Sequence, residues 1–137
     1  MASRLLSTLN FLCLVSGLAL RAQSPLHIRV NHPRPLEAAL DELEATLGIP
    51  INYEDPQFQC ANDFQNVTDQ LQNAAQRAAN PNARIIVPKG GSLELDSILA
   101  SSSPTVADAL SLANQLRVKH EANGYPGRFN VTQTELS

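Results

Sequence analysis

Pro35-Leu36-Glu37-Ala38-Ala39-Leu40-Asp41-Glu42-Leu43-Glu44-Ala45-Thr46-Leu47-Gly48-Ile49-Pro50-Ile51-Asn52-Tyr53 is the stretch on which the fold turns. Leu36, Ala39, Leu40, Leu43 and Leu47 recur at three- and four-residue steps, the spacing of one face of an α-helix. Glu37, Asp41, Glu42 and Glu44 fill the opposite face. Pro35 suits the first turn, where no backbone N–H is needed. Gly48 suits the left-handed residue that ends a helix. Beyond it Ile49, Ile51 and Tyr53 alternate with polar or turn residues, which predicts a strand, and Pro50 predicts an edge position for it.

Upstream, Leu26-His27-Ile28-Arg29-Val30 alternates apolar and polar and predicts a half-buried strand. Pro33 and Pro35 stop it. Strand, helix and strand together make a β-α-β unit. Downstream, residues 54–66 are polar and read as a loop. Residues 67–79 predict a weakly apolar surface helix, closed by Asn80-Pro81-Asn82. Ile85-Ile86-Val87, the turn residues Pro88-Lys89-Gly90-Gly91, and Leu93 alternating to Leu95 predict a β-hairpin. After Ser101-Ser102-Ser103-Pro104, either Ser103 with Pro104 or Thr105 with Asp108 caps a second long helix. Its expected apolar face is Val106, Ala109, Leu110, Ala113 and Leu116, fading at Lys119-His120-Glu121. Gly124-Tyr125-Pro126-Gly127 turns the chain into a last expected strand at Phe129 and Val131. The expected class is α+β: a small mixed sheet, two main helices packed on one face, a β-α-β start and a central β-hairpin.

The start of the chain reads as an export signal. Arg4 precedes a mostly apolar run from residue 9 to residue 20, too short to span a bilayer and suited to a signal core. Small residues lead to Ala22, and the expected cleavage is after Ala22 or after Ala19. A retained anchor is the competing reading, opposed by the shortness of the run and by the break at Gln23-Ser24-Pro25. Removing 22 of the 137 residues leaves 115, enough for a single domain with one core. Arg4 and Arg21 leave with the signal and no acid does, so the net charge moves from −3 to −5. That acidic balance argues against nucleic acid, which needs clustered Lys and Arg. No second apolar run predicts an integral membrane segment. Localisation is therefore expected to be periplasmic or extracellular.

Chemical motifs are sparse. Cys13 falls in the signal, so Cys60 has no internal partner and no internal disulfide is expected. Its expected role is a small buried hydrophobe, with an intermolecular disulfide or a reactive thiol as alternatives. His27, His32 and His120 lack metal-ligand spacing and read as separate surface histidines, so no metal and no cofactor is expected. Lys89-Gly90-Gly91 has the wrong order for a phosphate loop. No G-x-S-x-G is present. Neighbouring Glu54 and Asp55 on a strand would point to opposite sides, so adjacency does not make them an acid–base pair. Asn66-Val67-Thr68 and Asn130-Val131-Thr132 fit the glycosylation pattern, which matters only in a eukaryotic host.

Residues 26–56, carried by the Pro35-Leu36 start, the leucine steps, Gly48 and Ile49-Pro50-Ile51-Asn52-Tyr53, resemble the short N-terminal (STN) domain of secretins and TonB-dependent receptors. Thr105-Val106-Ala107-Asp108-Ala109-Leu110 looks like a second helix start of the same style. The full length, with Pro88-Lys89-Gly90-Gly91 and the ending from Gly124 to Phe129, also looks like small uncharacterised exported bacterial proteins. The resemblance implies a periplasmic compartment, an α+β fold and docking to protein partners. No barrel or secretin body follows, so the receptor and pore roles are not part of the expectation.

The expected function is a non-enzymatic, exported protein-binding module of the bacterial envelope. The candidate contact segment is residues 51–58, with Tyr53 and Phe58 as anchors beside Glu54 and Asp55, acting by strand addition at a sheet edge. Burial of Tyr53 and Phe58 as plain core closure is the competing reading. Two other classes stay open: a small secreted hydrolase using Glu54, Asp55 and His120, and a structural envelope protein. The sequence names no partner and no oligomeric state.

Overall fold

The computed structural model describes residues 23–134. Residues 1–22, expected to be an export signal, lie outside the described residues. The predicted strand at residue 26 is β1, Ser24–His32. It pairs antiparallel with β4, Gly91–Leu99, in a register that sets Ile28 opposite Leu95 and Val30 opposite Leu93. Opposed residues share a face. The inner face thus collects Leu26, Ile28, Leu93 and Leu95, all buried, while His27, Arg29, Glu94 and Asp96 project from the other. This is the usual division of an antiparallel sheet with one wet face.

Two long helices cover the inner face. α1, Pro35–Leu47, begins on Pro35 and buries the expected stripe of Leu36, Ala39, Leu40, Leu43 and Leu47. Gly48 adopts φ 67°, and its N–H donates to the Glu44 carbonyl at 2.8 Å, closing the helix. α4, Val106–Ala122, is capped by Thr105 and Asp108: the Thr105 N–H donates to Asp108 Oδ2 at 2.7 Å and the Asp108 N–H to Thr105 Oγ1 at 3.3 Å. α1 touches α4 and both strands, α4 packs on β4, and the buried residues of the helices form one core with the sheet. The chain is an α+β fold whose two main helices share one face.

Several elements differ from expectation. The buried face of α4 is Ala109, Leu112, Ala113, Leu116 and His120; Val106 is exposed and Leu110 half-buried. The two faces share Ala109, Ala113 and Leu116, and the observed one is rotated so that Leu112 and His120 point inward in place of Val106 and Leu110. Residues 49–53 form no strand. Pro50 has no N–H to give, and the Ile51 N–H donates to Glu44 Oε2 at 2.7 Å, a side chain of α1 taking the place of a neighbouring strand. Ile49, Ile51 and Tyr53 still pack on the core. The β-α-β start is therefore β1, α1 and an extended coil.

The central hairpin does not form either. β3, Ile86–Pro88, pairs with β2, Phe64–Asn66, while β4 pairs with β1, giving two small antiparallel sheets in place of one mixed sheet. The turn at Gly90 works as a crossing point: a Cβ there would collide with the carbonyl oxygens of His32 and Pro33. β4 gains nine paired positions and a matching apolar face on β1, against three residues available on β3. The expected helix at 67–79 divides into α2, Thr68–Leu71, and α3, Ala74–Ala79, because Asn73 starts a fresh cap with Gln76. The chain around Phe129 and Val131 is coil packed on the core, not a strand. Among the described residues no helix is long and apolar enough to cross a membrane.

Candidate functional site

Pro33-Arg34-Pro35 fixes the start of the site. Pro35 sets the first turn of α1, which holds Arg34 at its mouth. The Arg34 guanidinium reaches Asp55 Oδ2 at 3.0 Å and Glu37 Oε2 at 3.8 Å. Asp55 thereby ties the coil after α1 back to the helix start, and the Ile51 bond to Glu44 ties it at the other end. Residues 53–58 form a ridge that follows the Ile51 tie and includes the Asp55 tie. Tyr53, Pro56 and Phe58 are half-buried, whereas Glu54, Asp55 and Gln57 face solvent.

The inner side of the ridge is aromatic. Tyr53 meets Phe129 with ring centroids 5.5 Å apart. Phe58 meets Phe64 of β2 edge-on, also at 5.5 Å. Burial raises the Tyr53 hydroxyl well above the ordinary tyrosine value; the charges of Asp55 and Glu37 push the same way, against Arg34. Tyr53 stays a neutral donor at any physiological pH. Gly127 runs so close beneath the ridge that a Cβ there would lie 2.7 Å from Pro56 Cγ. Its φ of 97° is also one that glycine adopts freely.

His120 is the group sequence reasoning placed wrongly. It is 3% exposed, not on the surface. Its ring sits edge-on to Phe129 at 5.2 Å and tilted against Tyr125 at 5.5 Å. Nδ1 is buried without a hydrogen-bond partner, and burial pushes the imidazole below the ordinary histidine value. His27 and His32 are exposed as expected; His27 Nδ1 bonds Asp96 Oδ1 at 2.7 Å. Cys60 is exposed, not buried, because it lies in the coil beyond Phe58 at the start of a single 3-10 turn.

Arg34, Tyr53, Phe58, Lys89, His120 and Phe129 line one small pocket under the ridge. Its volume is about 10 Å³, room for no more than one water. A wider open groove of about 200 Å³ lies between the end of β1 and the small sheet, against Val67, Leu71 and Val87. Among the described residues no hydrogen bond or ion pair joins His120 to Glu54 or Asp55. The same residues include no group of three or more His, Cys, Asp or Glu side chains placed to hold a metal ion. Tyr53, Glu54, Asp55 and Phe58 were candidates from the sequence, and His120 was one only for the hydrolase reading; Arg34 and Phe129 were not candidates. His120 was signalled by its place four residues after Leu116 on the buried stripe. Compared with protein-family models, curated proteins and solved structures, the chain matches none.

Proposed function

We propose that this chain is an exported, non-enzymatic protein-binding module of the bacterial envelope, resembling the STN domain, and that residues 53–58 make its contact. The observation that carries the reading is the ridge itself. It is an irregular segment fixed by Arg34, Glu44 and Phe64, with an acidic outer side and an aromatic inner side. Loops held this way on a rigid scaffold commonly carry binding. Strand addition does not suit it, since residues 51–58 lie in no strand. Contact runs instead through side chains, with Tyr53 and Phe58 as half-exposed aromatic anchors and Glu54, next to the Arg34-paired Asp55, favouring a partner with basic groups. Export rests on residues 1–22.

The hydrolase reading loses support from the same geometry. His120 packs against aromatic rings with Nδ1 unpartnered, Asp55 is engaged by Arg34, and the pocket that His120 lines holds about one water and is not lined by Asp55. The test is affinity capture from envelope extract with the wild-type chain and a Tyr53→Ala/Phe58→Ala variant that keeps its circular dichroism. The reading expects a specific partner held by the wild type and lost by the variant. A folded variant that retains every partner overturns it.

A further inference from the structure

We infer that His120 is a pH-sensitive latch on the ridge: a proton on its ring releases Phe129, and Phe129 in turn releases Tyr53. The inference rests on the binding reading of residues 53–58 and adds a means of regulating that surface.

The chain of contacts is continuous. His120 belongs to the buried stripe of α4 and is almost wholly enclosed. Phe129 stands edge-on to its ring, and the same Phe129 meets Tyr53 on the ridge. Gly127, two residues before Phe129, passes directly under Pro56 of the same ridge. The segment after α4 is therefore the layer between His120 and residues 53–58. It is coil held by a few contacts: Tyr125 Oη and Asn123 Nδ2 donate to the Ser92 carbonyl at 2.8 and 3.2 Å, and Phe129 and Val131 pack on the core. Such a segment is the kind that opens without global unfolding.

The neutral ring fits this layer and the charged ring does not. Nδ1 has no acceptor, so a proton placed there adds a buried donor with no partner. Burial opposes a charge on His120, and the groups that line its pocket supply no anion. Arg34 from the start of α1 and Lys89 from the β3–β4 connection line the same pocket, with neutral Tyr53 from the ridge. Tyr125 on the C-terminal segment is uncharged as well. Glu121 on α4 itself is the favourable neighbour, and its carboxylate is already engaged by Arg117 at 2.7 Å. Asp55 and Glu37 are engaged by Arg34. A proton on His120 is most readily accommodated by the ring swinging outward, which displaces Phe129.

The chain supplies its own reporter. It has no tryptophan and two tyrosines: Tyr53 packs on Phe129 and Tyr125 on His120, so both report on this layer. Quenching of tyrosine fluorescence by acrylamide is measured from about pH 7.5 to about pH 5, across the histidine range, with far-ultraviolet circular dichroism followed in parallel. The wild type is expected to show the quenching constant about doubling with its helix signal unchanged, as local opening requires. His120→Gln should abolish the rise, and a His27→Gln/His32→Gln variant should keep it. A rise that persists in folded His120→Gln, or no rise in the wild type, overturns the latch. If His120→Gln does not fold, proton NMR of the wild type decides: the Phe129 and Tyr53 ring signals must follow the titration of His120, and independent behaviour overturns the proposal. No partner is present in these measurements, so the latch and the binding reading fail separately.

Discussion

Phe129 stands edge-on against His120, their ring centroids 5.2 Å apart and their planes at 87°, and it also meets Tyr53 at 5.5 Å. One half-buried aromatic thus joins the end of α4 to the coil that follows α1. Removing it should cost more than its own exposure suggests, because both neighbours lose a packing surface. Phe129→Ala is expected to destabilise the domain by about 2–3 kcal/mol, below the range for a fully buried phenylalanine. Urea unfolding followed by circular dichroism measures it. A change within about 0.5 kcal/mol, the range of an ordinary surface site, contradicts the role given to this residue.

Stability should depend on pH through His120. Its folded value is depressed by burial, so the folded chain refuses a proton that the unfolded chain accepts. The full contribution is present above the unfolded value of about 6.5. It is lost as the pH falls from there toward the lower folded value. Urea midpoints at about pH 7.5 and about pH 5.5 should show a drop for the wild type and a smaller drop for His120→Gln. Equal drops in both chains refute the assignment.

The cap of α4 should be worth an ordinary amount. Thr105 and Asp108 bond each other's backbone reciprocally, and the helix they start carries much of the core. Thr105→Ala should cost about 1 kcal/mol, and Thr105→Ser should restore most of it. Thermal unfolding of the two variants checks both figures.

Gly90 is the position where the chain passes between its two sheets. A side chain there meets the carbonyl oxygens of His32 and Pro33, which belong to the backbone and cannot swing aside. Gly90→Ala should therefore destabilise by about 2 kcal/mol or more, whereas Gly→Ala at an unstrained site is often stabilising. Chemical denaturation of the variant measures the cost.

What was legible in the sequence followed from local rules. The stripe from Leu36 to Leu47 between Pro35 and Gly48, and the Thr105 cap, each specify their element with neighbours only, and each is found as expected. Pairing is a different property. The alternation of Ile49, Ile51 and Tyr53 correctly marks which side chains face the core, but a half-buried coil and a strand share that period, and no neighbouring strand was written into it. The apolar run at residues 85–87 and the turn after it imply a hairpin locally, yet β4 finds a longer partner in β1. The ridge was partly legible, through Tyr53, Glu54, Asp55 and Phe58. Its support was not, because Arg34 and Phe129 reach it from distant parts of the chain.

Cys60 gives the most direct test of the proposed contact surface. It is an exposed thiol just beyond Phe58, and the sole cysteine outside residues 1–22. A benzophenone photo-crosslinker attached there, and irradiated in envelope extract, should yield a discrete protein adduct. The adduct should vanish in the Tyr53→Ala/Phe58→Ala background and should not form from a Cys60→Ser/Ser111→Cys chain, whose label sits on the exposed side of α4. The same adduct from both labelling positions, or none from Cys60, contradicts a binding surface at residues 53–58.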